Sequence, residues 1–346
     1  MAVRVQATST QASSGAAQQG RLRRSGGGEG PASRFRLVLS AGGTMGAYWM
    51  IGALQALDEA GLDPRSAEVI VGTSAGAALG AILACGHHPW LPNEGRRAPL
   101  FDIGPATETD GGRWRDVRPP LRLLRGGLLP PYDVGIPALF GGLMPGGRFL
   151  TDHIERLIWH SVDTAPGPIH RGLKVVAVDR QSGRRMVFGS RPAERLPYAV
   201  AASCAIPSWF APVRIGSRTY IDGGVHSVFN LDLALEGRLA PVIVLSALSG
   251  SVPLSFGPGW LAMRVFRGTV GVQLGRAVGS ARRAGFPVDV IEPGSDETLA
   301  MGRDLMNSED AELAYRIGLI RTRQRLRSAR WQERLGRLTL AETAAS

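Results

Sequence analysis

The chain has 346 residues, 44% of them hydrophobic, which suffices for one large α/β domain or two small ones. Two cysteines, Cys85 and Cys204, argue against a disulfide framework, and no uninterrupted apolar run approaches the ~18 residues of a membrane-spanning helix. The formal charge of +11 is almost all arginine, Lys174 being the one lysine, and it gathers at the ends: four Arg against one Glu in residues 1–33, eight Arg against three Glu in 311–346.

Arginine clusters suit phosphate-bearing partners, either nucleic acid or anionic lipid head groups, although a solvated basic tail explains the same charge. Residues 1–33 are poor in large apolar side chains and rich in Ser, Gln, Ala and Gly, so this segment is expected to be disordered. Its Arg-Leu-Arg-Arg cluster leads into Ser-Gly-Gly-Gly-Glu rather than an apolar run, which argues against a secretory or twin-arginine signal.

Order is expected from "RFRLVLS" (34–40), a short strand running into glycines. "MGAYWMIGALQALDEAG" has helical spacing and ends at Gly61, a fitting carboxyl-terminal cap. "AEVIVG" reads as a second buried strand feeding the helix "SAGAALGAILACG". Strand, helix, strand, helix is the pattern of a parallel sheet with helices on its faces.

From about 87 to 147, prolines and glycines dominate ("GHHPWLPNEG", "RPPLRLLRGGLLPPYD"), marking an insert suited to a lid. "FLTDHIERLIWHSV" returns to helical spacing, and "LKVVAVD" and "RRMVFG" read as two strands joined by a short turn. "RLPYAVAASCAIPSWFAP" predicts a short helix broken at Pro207, "RTYIDGG" a strand, and "APVIVLSAL" another buried strand. A helical segment over about 260–284, the strand "PVDVIEP" and a basic helix over about 309–335 complete the order.

Three places carry chemistry. Gly72-Thr73-Ser74-Ala75-Gly76 fits G-x-S-x-G, in which a serine sits on a strained strand-to-helix turn and its small neighbours avoid clashes. The Ala75 amide at the helix start then points where an oxyanion would form. Asp222 ends an apolar strand and precedes Gly223 and Gly224; buried near Ser74 it could take the serine's proton, while as an Asp-Gly dipeptide it could equally be a hairpin turn. Gly42-Gly43-Thr44-Met45-Gly46 joins a strand to a helix and suits either a dinucleotide phosphate or a nest of amides around an oxyanion. Six histidines are present, yet none occupies a late strand end with an acid upstream; an extended 222–226 segment would hold His226 away from Asp222.

"AGGTMG", "GTSAG" and "DGG", in this order, resemble the hallmarks of the patatin-like phospholipase family, as do "AASCAIPSWFAPVRIGSRTYIDGGV" and "GGLMPGGRFLTDHIERLI". The resemblance spans about 35–325. It implies a three-layer α/β/α fold with a mostly parallel central sheet in a domain over 34–330, leaving 331–346 as the end of the basic helix and a tail. It implies Ser74 as nucleophile and Asp222 as general base of a Ser–Asp dyad. Gly42, Gly43, Thr44 and Ala75 would bind the oxyanion, with Gly46, Gly72, Gly76, Gly223 and Gly224 as motif glycines. The implied reaction is hydrolysis of lipid acyl esters without metal or cofactor.

Two positions depart from the family pattern: Ala41 replaces its first loop glycine, and Met45 its basic residue. The segment after the aspartate, "VHSVFNLDLAL", also lacks the family's proline. These departures motivate the alternative of a patatin-like scaffold that binds lipid or a protein and catalyses little. The expected location is the cytoplasm, with the basic carboxyl-terminal helix as an option for peripheral contact with an anionic membrane. Without interleaved aromatics, Trp331 aside, the arginine tails disfavour nucleic acid as partner.

Overall fold

The computed structural model describes residues 35–90, 147–252 and 258–343. The expected disordered tail (1–33) and nearly all of the Pro/Gly-rich insert lie outside the described residues.

Among the described residues eight strands form one sheet: β1 (Arg36–Leu39), β2 (Val69–Thr73), β3 (Leu173–Asp179), β4 (Arg185–Phe188), β5 (Val213–Ile215), β6 (Arg218–Asp222), β7 (Val242–Leu245) and β8 (Val288–Ile291). Their order is β5-β6-β3-β2-β1-β7-β8, with β4 also paired to β3. The pairs β1–β2, β1–β7, β7–β8 and β2–β3 are parallel, whereas those of β3 with β4, β3 with β6 and β5 with β6 are antiparallel.

The helices are α1 (Gly43–Glu59), α2 (Ala75–Ala84), α3 (Asp152–Asp163), α4 (Leu196–Ser203), α5 (Pro258–Arg283), α6 (Ser295–Met301), α7 (Ala311–Leu326) and α8 (Ala329–Thr343). Alternation along the strands divides them between two faces. Leu37, Leu39, Ile70, Val175 and Leu245 point into one core with α1, α2 and α7. Val38, Val71, Val176 and Val244 point into the other, with Val270, Leu274 and Val278 of α5. The result is the expected three-layer α/β/α arrangement around a mostly parallel sheet.

Most local expectations hold. α1 ends before Gly61, whose φ of +86° is the left-handed turn a glycine takes at low cost. Three details differ. α4 stops at Ser203, before Pro207, with Cys204 as its carboxyl-terminal cap, the Cys204 amide donating to the Val200 and Ala201 carbonyls. Residues 223–225 form a 3-10 turn rather than an extended run, so the Asp-Gly dipeptide leaves the sheet instead of making a hairpin. The basic helix is two helices: the Ser328 amide donates to the Arg325 carbonyl and the Trp331 amide to that of Ser328, a turn that starts α8. The packed body continues beyond residue 330, since Trp331 and Leu335 of α8 are buried in the first core.

α7 gives its apolar face to α1. Where they cross, a Cβ on Gly52 would stand 2.2 Å from the Tyr315 carbonyl oxygen, and one on Gly318 2.5 Å from that of Trp49. Several of the arginines pair with acids of the body: Arg321 with Asp296, Arg323 with Glu59, Arg325 with the buried Glu297, and Arg334 of α8 with Asp289. Among the described residues no helix is long and apolar enough to cross a membrane.

The crossing generates a prediction. Gly52→Ala adds helix propensity but forces two backbones apart, so a net loss of about 1–3 kcal/mol is expected, read as a lower urea midpoint. An unchanged or higher midpoint would show that the two helices slide apart freely.

Candidate active site

The site begins with one edge of β3. β2 pairs with residues 173–176 of β3, ending at Thr73 opposite Val176. β6 pairs with residues 177–179, with Asp222 opposite Ala177. Because β4 occupies 175–178 and overlaps both registers, it holds the opposite edge, and β2 and β6 share the remaining one. β2 runs parallel to β3 and β6 antiparallel, so their carboxyl ends meet tip to tip. Asp222 therefore lies one register step from Thr73, the residue before Ser74. Gly223 fits this junction because a Cβ there would stand 2.1 Å from the Val176 carbonyl oxygen.

At the end of β2 the chain turns abruptly into α2. Ser74 takes φ +53° and ψ −121°, a strained combination for a residue with a side chain. A Cβ on Gly72 would stand 2.5 Å from the Gly76 carbonyl oxygen, and one on Gly76 2.2 Å from that of Leu39 in β1. The end of α4 clamps the turn. The Ser74 amide donates to Ser203 Oγ at 2.9 Å, and the Ser203 hydroxyl donates to the Val176 carbonyl at 2.6 Å. On the far side, Asn230 Nδ2 donates to Thr73 Oγ1 at 3.0 Å, tying the segment after Asp-Gly-Gly to the strand before Ser74.

Ser74 and Asp222 are both buried. Burial raises the Asp222 pKa to about 7, against the opposing pull of the Ser74 hydroxyl and the Gly224 amide. The Gly224 N–H donates to Oδ1 at 2.6 Å, whereas Oδ2 is buried without a partner among protein atoms. Ser74 is thus near enough to favour the carboxylate, but the two side chains are not joined by a hydrogen bond of full length and angle. Cys204 lies beside both; burial, and then the Asp222 charge, push its thiol well above the usual range, so it stays protonated.

Gly43, Thr44, Ser74 and Ala75 line one cavity, measuring about 90 Å³ as space open to the centre of a water molecule. Its walls include Leu79, Ile154, Leu157, Ile206, Phe210 and Met306. The amides of Gly43 and Thr44 open α1 and that of Ala75 opens α2, where helices leave their first N–H groups without internal acceptors. The neighbouring amides are used: Met45 donates to the Leu305 carbonyl, Gly46 to Gly42 and Gly76 to Ser40. Gly42 precedes the first turn of α1 and does not line the cavity.

The departures at 41 and 45 have a local explanation. The left-handed residue of the loop is Gly43, at φ +61°, where a Cβ would stand 2.7 Å from the Leu305 carbonyl oxygen; Ala41 is not in that region. Met45 is buried in the first core.

Ser203, Asn230 and His153 were not singled out by sequence reasoning. His153 lines the cavity with its ring 5.7 Å from that of Phe210, and burial lowers its pKa against the pull of Asp152. No spacing rule marks these residues, because each reaches the site from a different element. Among the described residues no cluster of His, Cys, Asp and Glu could hold a metal ion.

Two outcomes are expected. Ser203→Ala leaves the buried Ser74 amide without its acceptor and lowers stability by about 1–3 kcal/mol in urea denaturation; equal stability would remove the clamp. For Asp222, the native pKa of about 7 exceeds the ordinary 3.8, so the native state binds the proton more tightly. Its contribution to stability therefore falls as pH rises between those values. Asp222→Asn should be more stable than wild type at pH 8, by at most about 4 kcal/mol, with the gain shrinking toward pH 4. A gain independent of pH would contradict the raised pKa.

A family profile described as patatin-like phospholipase matches residues 37–235, more than half of the chain. No curated protein matches significantly. Among solved structures, the chain is similar to VipD from Legionella pneumophila (16% identity, TM-score 0.37, covering 85% of this chain and 66% of that one). It is also similar to the type III effector protein ExoU (17% identity, TM-score 0.38, covering 90% and 54%). The chain thus spans about two thirds of the length of one and about half of the other. The profile match, over the segment that carries the Gly-rich loop, Gly-Thr-Ser-Ala-Gly and Asp-Gly-Gly, makes this chain a member of the patatin-like phospholipase family.

Proposed function

We propose that this chain is a serine hydrolase of lipid acyl esters, with Ser74 as nucleophile and Asp222 as general base. The observation that carries the reading is the shared β3 edge. It sets an aspartate with a pKa of about 7 one register step from the residue preceding a strained serine. Membership of a family of lipid hydrolases supports it, as do the aliphatic and aromatic walls of the cavity, which suit an acyl chain.

In this mechanism the Asp222 carboxylate accepts the Ser74 proton as Oγ attacks the acyl carbonyl carbon. Negative charge then develops on the carbonyl oxygen, toward which the Gly43, Thr44 and Ala75 amides can donate at the positive ends of two helices. Collapse of the tetrahedral intermediate expels the alcohol, which takes the proton from Asp222. Water, deprotonated by the same carboxylate, then hydrolyses the acyl-serine and restores the hydroxyl.

The test uses a short-chain p-nitrophenyl ester and a diacyl glycerophospholipid. Ser74→Ala should lose on the order of 10⁴-fold in kcat or more, and Asp222→Asn on the order of 10²–10⁴-fold, with the fold retained by circular dichroism. In wild type, kcat/KM should rise with pH and level off above about 7, because the base must be ionised. Turnover retained in Ser74→Ala would end the proposal. A wild-type serine that resists a fluorophosphonate probe would leave the binding scaffold as the better reading.

A further inference from the structure

Among the described residues two arginines are buried, one at each edge of the sheet. Arg36 opens β1 at the amino edge, where its Nη1 donates to the Ala234 carbonyl at 2.8 Å and its Nη2 to that of Arg238 at 2.7 Å. A Glu68 carboxylate oxygen stands 3.8 Å from it and partly balances the charge. Arg267 of α5 reaches the carboxyl edge. Its Nη1 donates to the carbonyls of Ala247 at 3.0 Å and Ser249 at 2.8 Å, and its Nη2 contacts Met301 Sδ at 3.9 Å. Nε has no partner among protein atoms, and among the described residues no carboxylate pairs with this guanidinium. Burial lowers its pKa to about 10, which leaves it a cation at neutral pH. An unpaired buried cation is costly, so its place in the fold matters.

β1 and β7 are parallel neighbours, and the helices that follow them lie on opposite faces, α1 on one and α5 on the other. The crevice between their carboxyl ends is thus the switch point of the sheet. Ala247 packs in this crevice against the Gly-rich loop. Its amide donates to Ser40 Oγ at 2.9 Å, and a Cβ on Gly42 or Gly46 would stand 3.2 or 3.0 Å from the Ala247 Cβ. The Ser40 carbonyl accepts from the Gly76 amide, so the start of α2 leans on the same residue. Met301 also faces the loop, its methyl 3.9 Å from a Cβ placed on Gly46. Arg267 therefore grips the residues on which the loop opening α1 is seated.

We propose that Arg267 is a positioning residue for the reaction proposed above: by fixing the Ala247–Ser249 segment it holds the Gly43 and Thr44 amides where they meet the oxyanion. The inference rests on that reaction and adds to it a residue that does not line the cavity. One guanidinium nitrogen bridges carbonyls two residues apart, which sets the exit from β7 in one conformation. Without that grip Ala247 can move, and the loop seated on it moves too. Amides displaced by a fraction of an ångström still admit substrate, but they meet the developing charge less well, so the transition state loses more than the bound ester. Arg36 makes the same kind of contact at the opposite edge, far from the loop, and so serves as the structural counterpart.

The test compares the two arginines in the full chain on the short-chain p-nitrophenyl ester. Arg267→Met keeps an apolar stem and removes the donors; kcat should fall about 10–100-fold with KM within about twofold. The pH midpoint of kcat/KM should stay near 7, because Asp222 is untouched. Labelling by a fluorophosphonate should slow in step with kcat. Arg267→Lys, which keeps a donor and the charge, should recover at least half of the loss on a logarithmic scale. Arg36→Met should lower the urea midpoint as Arg267→Met does, yet leave kcat within about twofold. If Arg267→Met does not fold, Arg267→Gln is read by the same criteria. The inference falls if the folded variant keeps wild-type kcat, if Arg36→Met costs as much kcat, or if the loss appears in KM alone. A wild type that neither turns over nor labels removes the reaction and this inference together; an active wild type with a failed comparison removes the inference alone.

Discussion

The candidate site depends on how one strand edge is divided. β3 has room along that edge for a parallel partner and then an antiparallel one, and the junction falls between Val176 and Ala177. Backbone hydrogen bonding therefore fixes the separation of Thr73 and Asp222 before any side chain contributes. A carboxylate delivered by a loop would require its own ordering entropy and would wander; one delivered by a ladder register is held by the whole sheet. Ser203 strengthens the junction by linking the Ser74 amide to Val176, the residue opposite Thr73.

Holding these groups together has a thermodynamic cost. Ser74 occupies an unfavourable backbone conformation, and Asp222 is buried with one oxygen unpartnered. Both are departures of the kind that cluster at functional sites and persist only where the surroundings over-determine them. Here the surroundings are rigid. Thr73, Val176 and Ser203 are almost fully buried, and close backbone approaches at Gly72, Gly76 and Gly223 leave no space for relaxation. The same burial that destabilises the Asp222 charge gives it a proton affinity suited to general-base chemistry near neutrality, so cost and proposed function have one cause.

Much of this was legible in the sequence because it is local. "GTSAG" between a β-branched run and an alanine-rich run specifies a strand, a sharp turn and a helix, and Gly61 ends α1 as its position suggests. What was not legible depends on chain distant in sequence. Nothing near Asp222 reveals that β6 shares an edge with β2 rather than turning back as a hairpin, since that choice is set by β4 occupying the other edge of β3. Ser203 and Asn230 look like ordinary small polar residues until the fold brings them to the Ser74 turn. The arginines of 311–335 suggested one continuous basic helix. The pairing of Arg323 with Glu59 and of Arg325 with Glu297, and the break at Ser328, come from packing that the basic periodicity does not encode.

Parallel topology also accounts for the meeting of two helix starts at the cavity. β1 and β2 are adjacent and parallel, so the helices that follow them start at the same edge of the sheet with their positive ends side by side. In the proposed mechanism two helix starts then supply the donors from Gly43, Thr44 and Ala75, and no single residue type is needed among them. The loop does need a left-handed residue, and that role falls on Gly43, which leaves position 41 free to be alanine. A cation at position 45 would sit in the hydrophobic core rather than in the cavity, where Met45 now packs among Trp49 and Met301. The departures at 41 and 45 therefore lie outside the residues that line the cavity with Ser74. In the proposed mechanism the field at an oxyanion would therefore come from the two helix starts that the order of strands sets side by side, not from the residues that differ from the family pattern.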